Sequence, residues 1–136
     1  MKVLRSIASV VGCYLVVFCL VLLSDPLLER IFPGQYVRGQ VPPTFLLWIS
    51  AAVFAVASIL GGWLCVGIAP AKPGRHLLAL FILGEAVGVV FTIVNPGHYP
   101  LWNSLLWLGI WPVCLWIGGR AKKRQHRETP EPVGAA

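Results

Sequence analysis

The sequence predicts an all-α membrane protein with four transmembrane helices in an antiparallel bundle. Three observations carry that expectation. The chain has 136 residues, of which 57% are hydrophobic and only 12% charged, whereas a soluble domain is about 25% charged. Its mean hydropathy is +0.79. Its apolar residues are gathered into four long blocks, and a membrane-spanning helix needs about 20 such residues.

The first block covers residues 7–23, "IASVVGCYLVVFCLVLL". Lys2 and Arg5 precede it, as in a secretory leader. A leader, however, has a shorter apolar run and small residues at a cleavage site. Here "SDPLLER" follows instead, so a retained span is expected. In that next stretch Ser24 or Asp25 can cap a helix with Pro26 at its first position. Leu27, Leu28, Ile31 and Phe32 can share one face, which predicts a short interfacial helix in the first extracytoplasmic loop.

The second block, 44–69, carries Ala51, Ala55, Ser58 and Gly62 at spacings that form one stripe of small residues. Lipid tails are as apolar as leucine, so membrane helices associate through close packing of small side chains. The third block, 77–94, offers Gly84 and Gly88. The stripe of span two is therefore expected to meet the glycine face of span three. The fourth block, 101–119, contains Pro112, which removes a helix hydrogen bond and predicts a kink. It also holds Trp102, Trp107, Trp111 and Trp116. The outer two suit the membrane interfaces. Trp107 and Trp111 read either as packing bulk or as an aromatic wall for a substrate. Spans two and four both close on a glycine pair.

Short connectors, "PAKPGRH" and "NPGHYP", make successive helices antiparallel. Residues 1–119 thus form the transmembrane domain. Residues 120–136 form a basic tail without apolar periodicity, expected to be disordered. Arg120, Lys122, Lys123, Arg124 and Arg127 would contact anionic lipid headgroups.

Lysine and arginine set topology. Lys2, Arg5, Lys72, Arg75 and the five tail residues fall on one side, and only Arg30 and Arg38 on the other. Both termini are expected in the cytoplasm, with the chain multi-pass in a bacterial inner membrane. Cys13, Cys19, Cys65 and Cys114 all lie within spans, without a paired or metal-ligand spacing, so neither a metal nor a cofactor is expected. His76, His98 and His126 lie outside the spans or at their edges, and no nucleophile–base set suggests an enzyme. The positive charge does not come with a nucleic-acid recognition module.

The residue that asks for an explanation is Glu85, in the middle of "FILGEAVGVVF". An acid at that depth costs about 2.5–3.5 kcal/mol of insertion energy. The twelve Leu, Ile, Val and Phe residues of its span return roughly 4–7 kcal/mol, so the helix still inserts. Such a group should face the bundle interior or a wet cavity. No basic side chain sits at its depth, so a neutral, protonated carboxyl is expected, donating to a backbone carbonyl such as that of Leu108, or to Ser58. Glu85, Ser58 and Thr92 form the candidate proton or hydrogen-bond site. Glu85 is either a helix staple or oligomer contact, or the proton- or cation-binding group of a small transporter.

In size, span count and the possession of one intramembrane glutamate the chain is similar to the small multidrug-resistance transporters. Their acid is in the first span, so no site residue carries over. The opening "LRSIASVVGCYLV", the "GGWLCVGIAP" closing span two and the "P…GGR" closing span four resemble small four-span bacterial inner-membrane proteins, a likeness that implies no activity. Two expectations result. The first is a non-enzymatic membrane interaction or assembly protein, as a homo-oligomer or with a membrane partner. The second is a small proton-coupled transporter or channel using Glu85.

Overall fold

The computed structural model describes residues 2–37, 40–69, 72–97 and 99–128. Arg38, His98, residues 129–136 and the side chains of Lys2, Arg5 and His126 lie outside that description. Among the described residues all regular structure is helical: α1 (Lys2–Ile31), α2 (Thr44–Ile68), α3 (Pro73–Val94) and α4 (Leu101–Glu128). All four are long and apolar enough to cross a membrane.

Proline and glycine punctuate the chain where their backbone limits require it. Pro73 occupies the start of α3, where its missing N–H has no helical partner to lose. Gly34 (φ 86°) and Gly97 (φ 81°) follow Pro33 and Pro96 in the connecting turns, a proline–glycine order that suits a turn needing a left-handed second residue. Asn95 ends α3 by donating both its backbone N–H and its side-chain amide to the Phe91 carbonyl, each at 3.1 Å.

Helix α1 differs from expectation. Its 30 residues extend about 45 Å, beyond a hydrocarbon core of about 30 Å. No break separates the span from the stretch expected as a separate interfacial helix. Ser24 does not cap a new helix; its hydroxyl donates back to the Val21 carbonyl at 2.6 Å. Pro26 is held inside the helix, where it removes one hydrogen bond and leaves the helix continuous. Leu28 in this extension is buried, and the Phe32 ring beyond it meets Phe45 of α2 edge-on at 5.6 Å.

Helix α2 is central and packs against each of the other three. Its closest partner is α4, and glycines on both helices explain why. A Cβ on Gly62 would collide with the Leu115 carbonyl, and one on Gly118 with the Ile59 carbonyl. Backbone meets backbone at both points. The small-residue stripe therefore faces α4 at Gly62, not the glycines of α3. Ala51 and Ser58 are buried and Ala55 is half-buried. The glycines of α3 also turn to α4: Gly84 receives the Trp111 indole and Gly88 the Leu108 side chain. The physical reason is reciprocity. Backbone contact needs a glycine on each helix, and α4 supplies Gly118 toward α2 but bulky side chains toward α3.

Cys13, Val17, Ala57, Cys65, Leu80, Trp111 and Leu115 form the core. Cys13 of α1 and Cys65 of α2 are both buried there. Pro112 lies within α4, which continues past it to Glu128. The basic segment expected to be unstructured is thus helical as far as that residue. Two cation–π contacts hold it: Arg120 sits over Trp116 and Lys122 over Trp63, each 4.0 Å from the ring centroid. Basic residues also suit a helix C-terminus electrostatically.

Candidate intramembrane cavity

Helix α3 is the least embedded of the four. Only 6% of its apolar window is buried, against 39% for α2, and Leu80 is its one fully buried residue. The Leu80 region and the Gly84–Trp111 contact hold α3 to its neighbours. Beyond them, toward the C-terminal ends of α1 and α3, the helices separate and enclose a cavity of about 260 Å³.

Glu85 lines this cavity. Its carboxyl makes no hydrogen bond or ion pair with any described residue. The expected bond to Ser58 is absent, and the Ser58 hydroxyl donates to the Phe54 carbonyl at 2.7 Å. Ser58 is fully buried and does not reach the cavity. Thr92 does line it, with its hydroxyl donating to the Gly88 carbonyl at 2.9 Å. Of the three candidates, the structure brings Glu85 and Thr92 together and leaves Ser58 in the α2 backbone.

The other polar side chains on the wall include Asp25, Tyr14, Tyr99, Asn103 and Ser104, and among the described residues no lysine, arginine or histidine lines it. Asn103 is 97% buried, being 3% exposed, yet its Oδ1 has no hydrogen-bond partner; nor has the buried Trp107 Nε1. A buried polar group without a partner costs on the order of 1–3 kcal/mol. Both residues line the same cavity as Glu85.

The aromatic residues divide by role. Trp111 is core: its indole N–H donates to the Phe81 carbonyl at 3.2 Å. Trp107 faces the cavity, stacked on Phe54 at 4.4 Å between centroids. Tyr14 and Phe18 of α1 supply the opposite side. Near the mouth, burial pushes the phenols of Tyr99 and Tyr36 above their ordinary range, and the charge of Asp25 adds to both. Both therefore stay neutral near pH 7.

Asp25, Tyr14 and Tyr99 escape a linear reading because they come from different elements and have unremarkable local sequence. Asp25 was legible only as a possible helix cap beside Ser24, with nothing to link it to Glu85. Among the described residues no cluster of His, Cys, Asp and Glu could hold a metal ion. No family model matches the chain, and neither a curated protein nor a solved structure does.

Proposed function

We propose that this is a small proton-coupled membrane transporter or channel, with Glu85 as the carboxyl that takes up a proton or a cation. The observation that carries the proposal is the position of Glu85 on a cavity wall without a partner among the described residues. A staple would spend its hydrogen bond within the bundle. Among the described residues the wall holds two carboxyl groups and no basic side chain, so a cation that displaces a carboxyl proton would meet no opposing charge there. The cavity is slightly smaller than typical small-molecule sites of about 300–1,000 Å³, which suits a proton relay or a small cation.

In this reading the four helices form an antiparallel bundle in a bacterial inner membrane. Gly61 near Val17 and Gly84 near Trp111 fit hairpins of successive helices. The C-terminal turns of α1, with Asp25, Glu29 and Arg30, project to the outer interface. Both termini are cytoplasmic, following the distribution of lysine and arginine.

Proteoliposomes with a lumenal pH dye test the proposal. An imposed pH gradient is challenged with sodium, potassium or tetramethylammonium on the opposite side. Dissipation in the wild type that Glu85→Gln removes supports it. Identical traces for the two proteins, with or without added cation, overturn it.

The slight burial of α3 favours a second reading, an interaction or assembly protein whose partner or second copy covers that helix. Oligomeric state in detergent, compared between wild type and a variant with bulky substitutions on the outer face of α3 (Ile82→Trp, Val89→Trp), separates the two.

A further inference from the structure

A second concavity lies at the other end of the α1–α3 contact. It is a groove of about 440 Å³ between the first turns of both helices. Lys72, Arg75 and His76 line it from α3 and its N-terminal junction, and Ile7, Val10 and Val11 from α1. Among the described residues no acidic side chain lines the groove. One side is thus cationic and the other aliphatic.

Two further features point to a ligand. The Nε2 atom of His76 is buried without a hydrogen-bond partner, while its Nδ1 lies 3.3 Å from the Lys72 carbonyl. Lys72 itself has φ 48° and ψ 63°, a left-handed conformation that L side chains rarely adopt. Pro73 follows it and disfavours the ordinary helical region at that position. A strained backbone that presents a charged residue at a concavity is a reason to look for a bound group.

We infer that this groove binds an anionic phospholipid. The phosphate is held by Lys72, Arg75 and the Nε2 of His76, and an acyl chain lies along Ile7, Val10 and Val11. Charge complementarity selects the headgroup, as basic pockets between membrane helices do generally. The aliphatic wall selects a lipid over a free anion. Ile7 and Val11 are 56% and 43% exposed, so the chain slot opens toward the surrounding membrane. This site is separate from the Glu85 cavity and does not depend on its function.

The test is thermal unfolding of the detergent-purified full chain with added phosphatidylglycerol, phosphatidylcholine or inorganic phosphate, with native mass spectrometry to count retained lipid. Phosphatidylglycerol should raise the unfolding midpoint and remain bound; the other two should do neither. In the double variant Lys72→Gly, Arg75→Gln the apparent affinity should fall at least tenfold. Glycine accommodates the left-handed backbone, so that variant keeps the fold while losing the charge. Ala79→Trp, which fills the groove with the charges intact, should also abolish the shift. Arg30→Gln, which removes a basic residue at the far end of α1, should leave it unchanged. Wild-type affinity in the double variant overturns the proposal, as does loss of the shift in Arg30→Gln. An equal shift with inorganic phosphate assigns the groove to a free anion and overturns the lipid.

Discussion

The Trp111 indole of α4 donates to the Phe81 carbonyl of α3 at 3.2 Å. Phe81 lies one helical turn before Glu85, so its carbonyl is also the acceptor expected for the Glu85 backbone N–H. One tryptophan therefore fixes the helix at the turn that carries the intramembrane acid. Polar attachment of α3 to α4 falls to Trp111, which leaves the Glu85 side chain unused. Trp111→Phe should lower stability by about 0.5–1.5 kcal/mol for the hydrogen bond, with a further small loss of ring area. Trp107→Phe, whose Nε1 has no partner, should cost distinctly less. Denaturant unfolding in mixed micelles compares the two; equal losses would contradict these roles.

The glycine contacts between α2 and α4 predict a sharp contrast between positions. Gly62→Ala and Gly118→Ala place a methyl group against a carbonyl of the neighbouring helix. Each should destabilise by about 1–3 kcal/mol, the usual cost of overpacking. Gly12→Ala and Gly109→Ala meet nothing within 4 Å and should be neutral or slightly stabilising, since alanine is the better helix former. Unfolding midpoints of the four variants in one detergent decide the matter.

The mouth of the cavity predicts an alkaline effect. Burial raises the Tyr99 and Tyr36 phenols, with Asp25 adding to both. A group raised on folding contributes stability that is fully present below its unfolded value, here about 10, and is lost as pH rises through the folded value. Stability should therefore fall in the alkaline range above about pH 10. Asp25→Asn should move phenolate formation to lower pH without returning it fully, because burial remains. Ultraviolet absorbance of the phenolate reads this directly; an unchanged titration would contradict the charge coupling.

The fold class was legible in the sequence because hydropathy is additive along a helix. Four apolar runs are enough to expect four spans, and each helix covers its expected block, α2 stopping one residue short at Ile68. Helix ends were less legible. Pro26 and the basic run after Gly119 look like stops, yet α1 continues through the first and α4 through the second. In both cases tertiary contacts, Leu28 in the interior and Lys122 over Trp63, outweigh the local signal. Glycine pairing was half legible. Gly62, Gly84 and Gly88 were recognised as contacts, but which helix each one meets depends on what the partner presents. The closing glycine pairs of spans two and four were visible as a repeat, and Gly62 and Gly118 are now seen to share one interface. Glu85 stood out at once because a lone acid in an apolar helix is costly. Its surroundings were less legible, because Asp25 and Tyr99 reach the same cavity only in three dimensions.

The central claim is that Glu85 is an exchangeable carboxyl on a cavity wall. Difference infrared spectroscopy across a pH titration, with Glu85→Gln used to assign the band, tests it most directly. The account predicts a Glu85 carboxylic-acid band at neutral pH that shifts promptly on transfer to heavy water and converts to carboxylate as the pH rises. A Glu85 band that neither exchanges nor titrates would show a sealed hydrogen-bond staple and contradict the account.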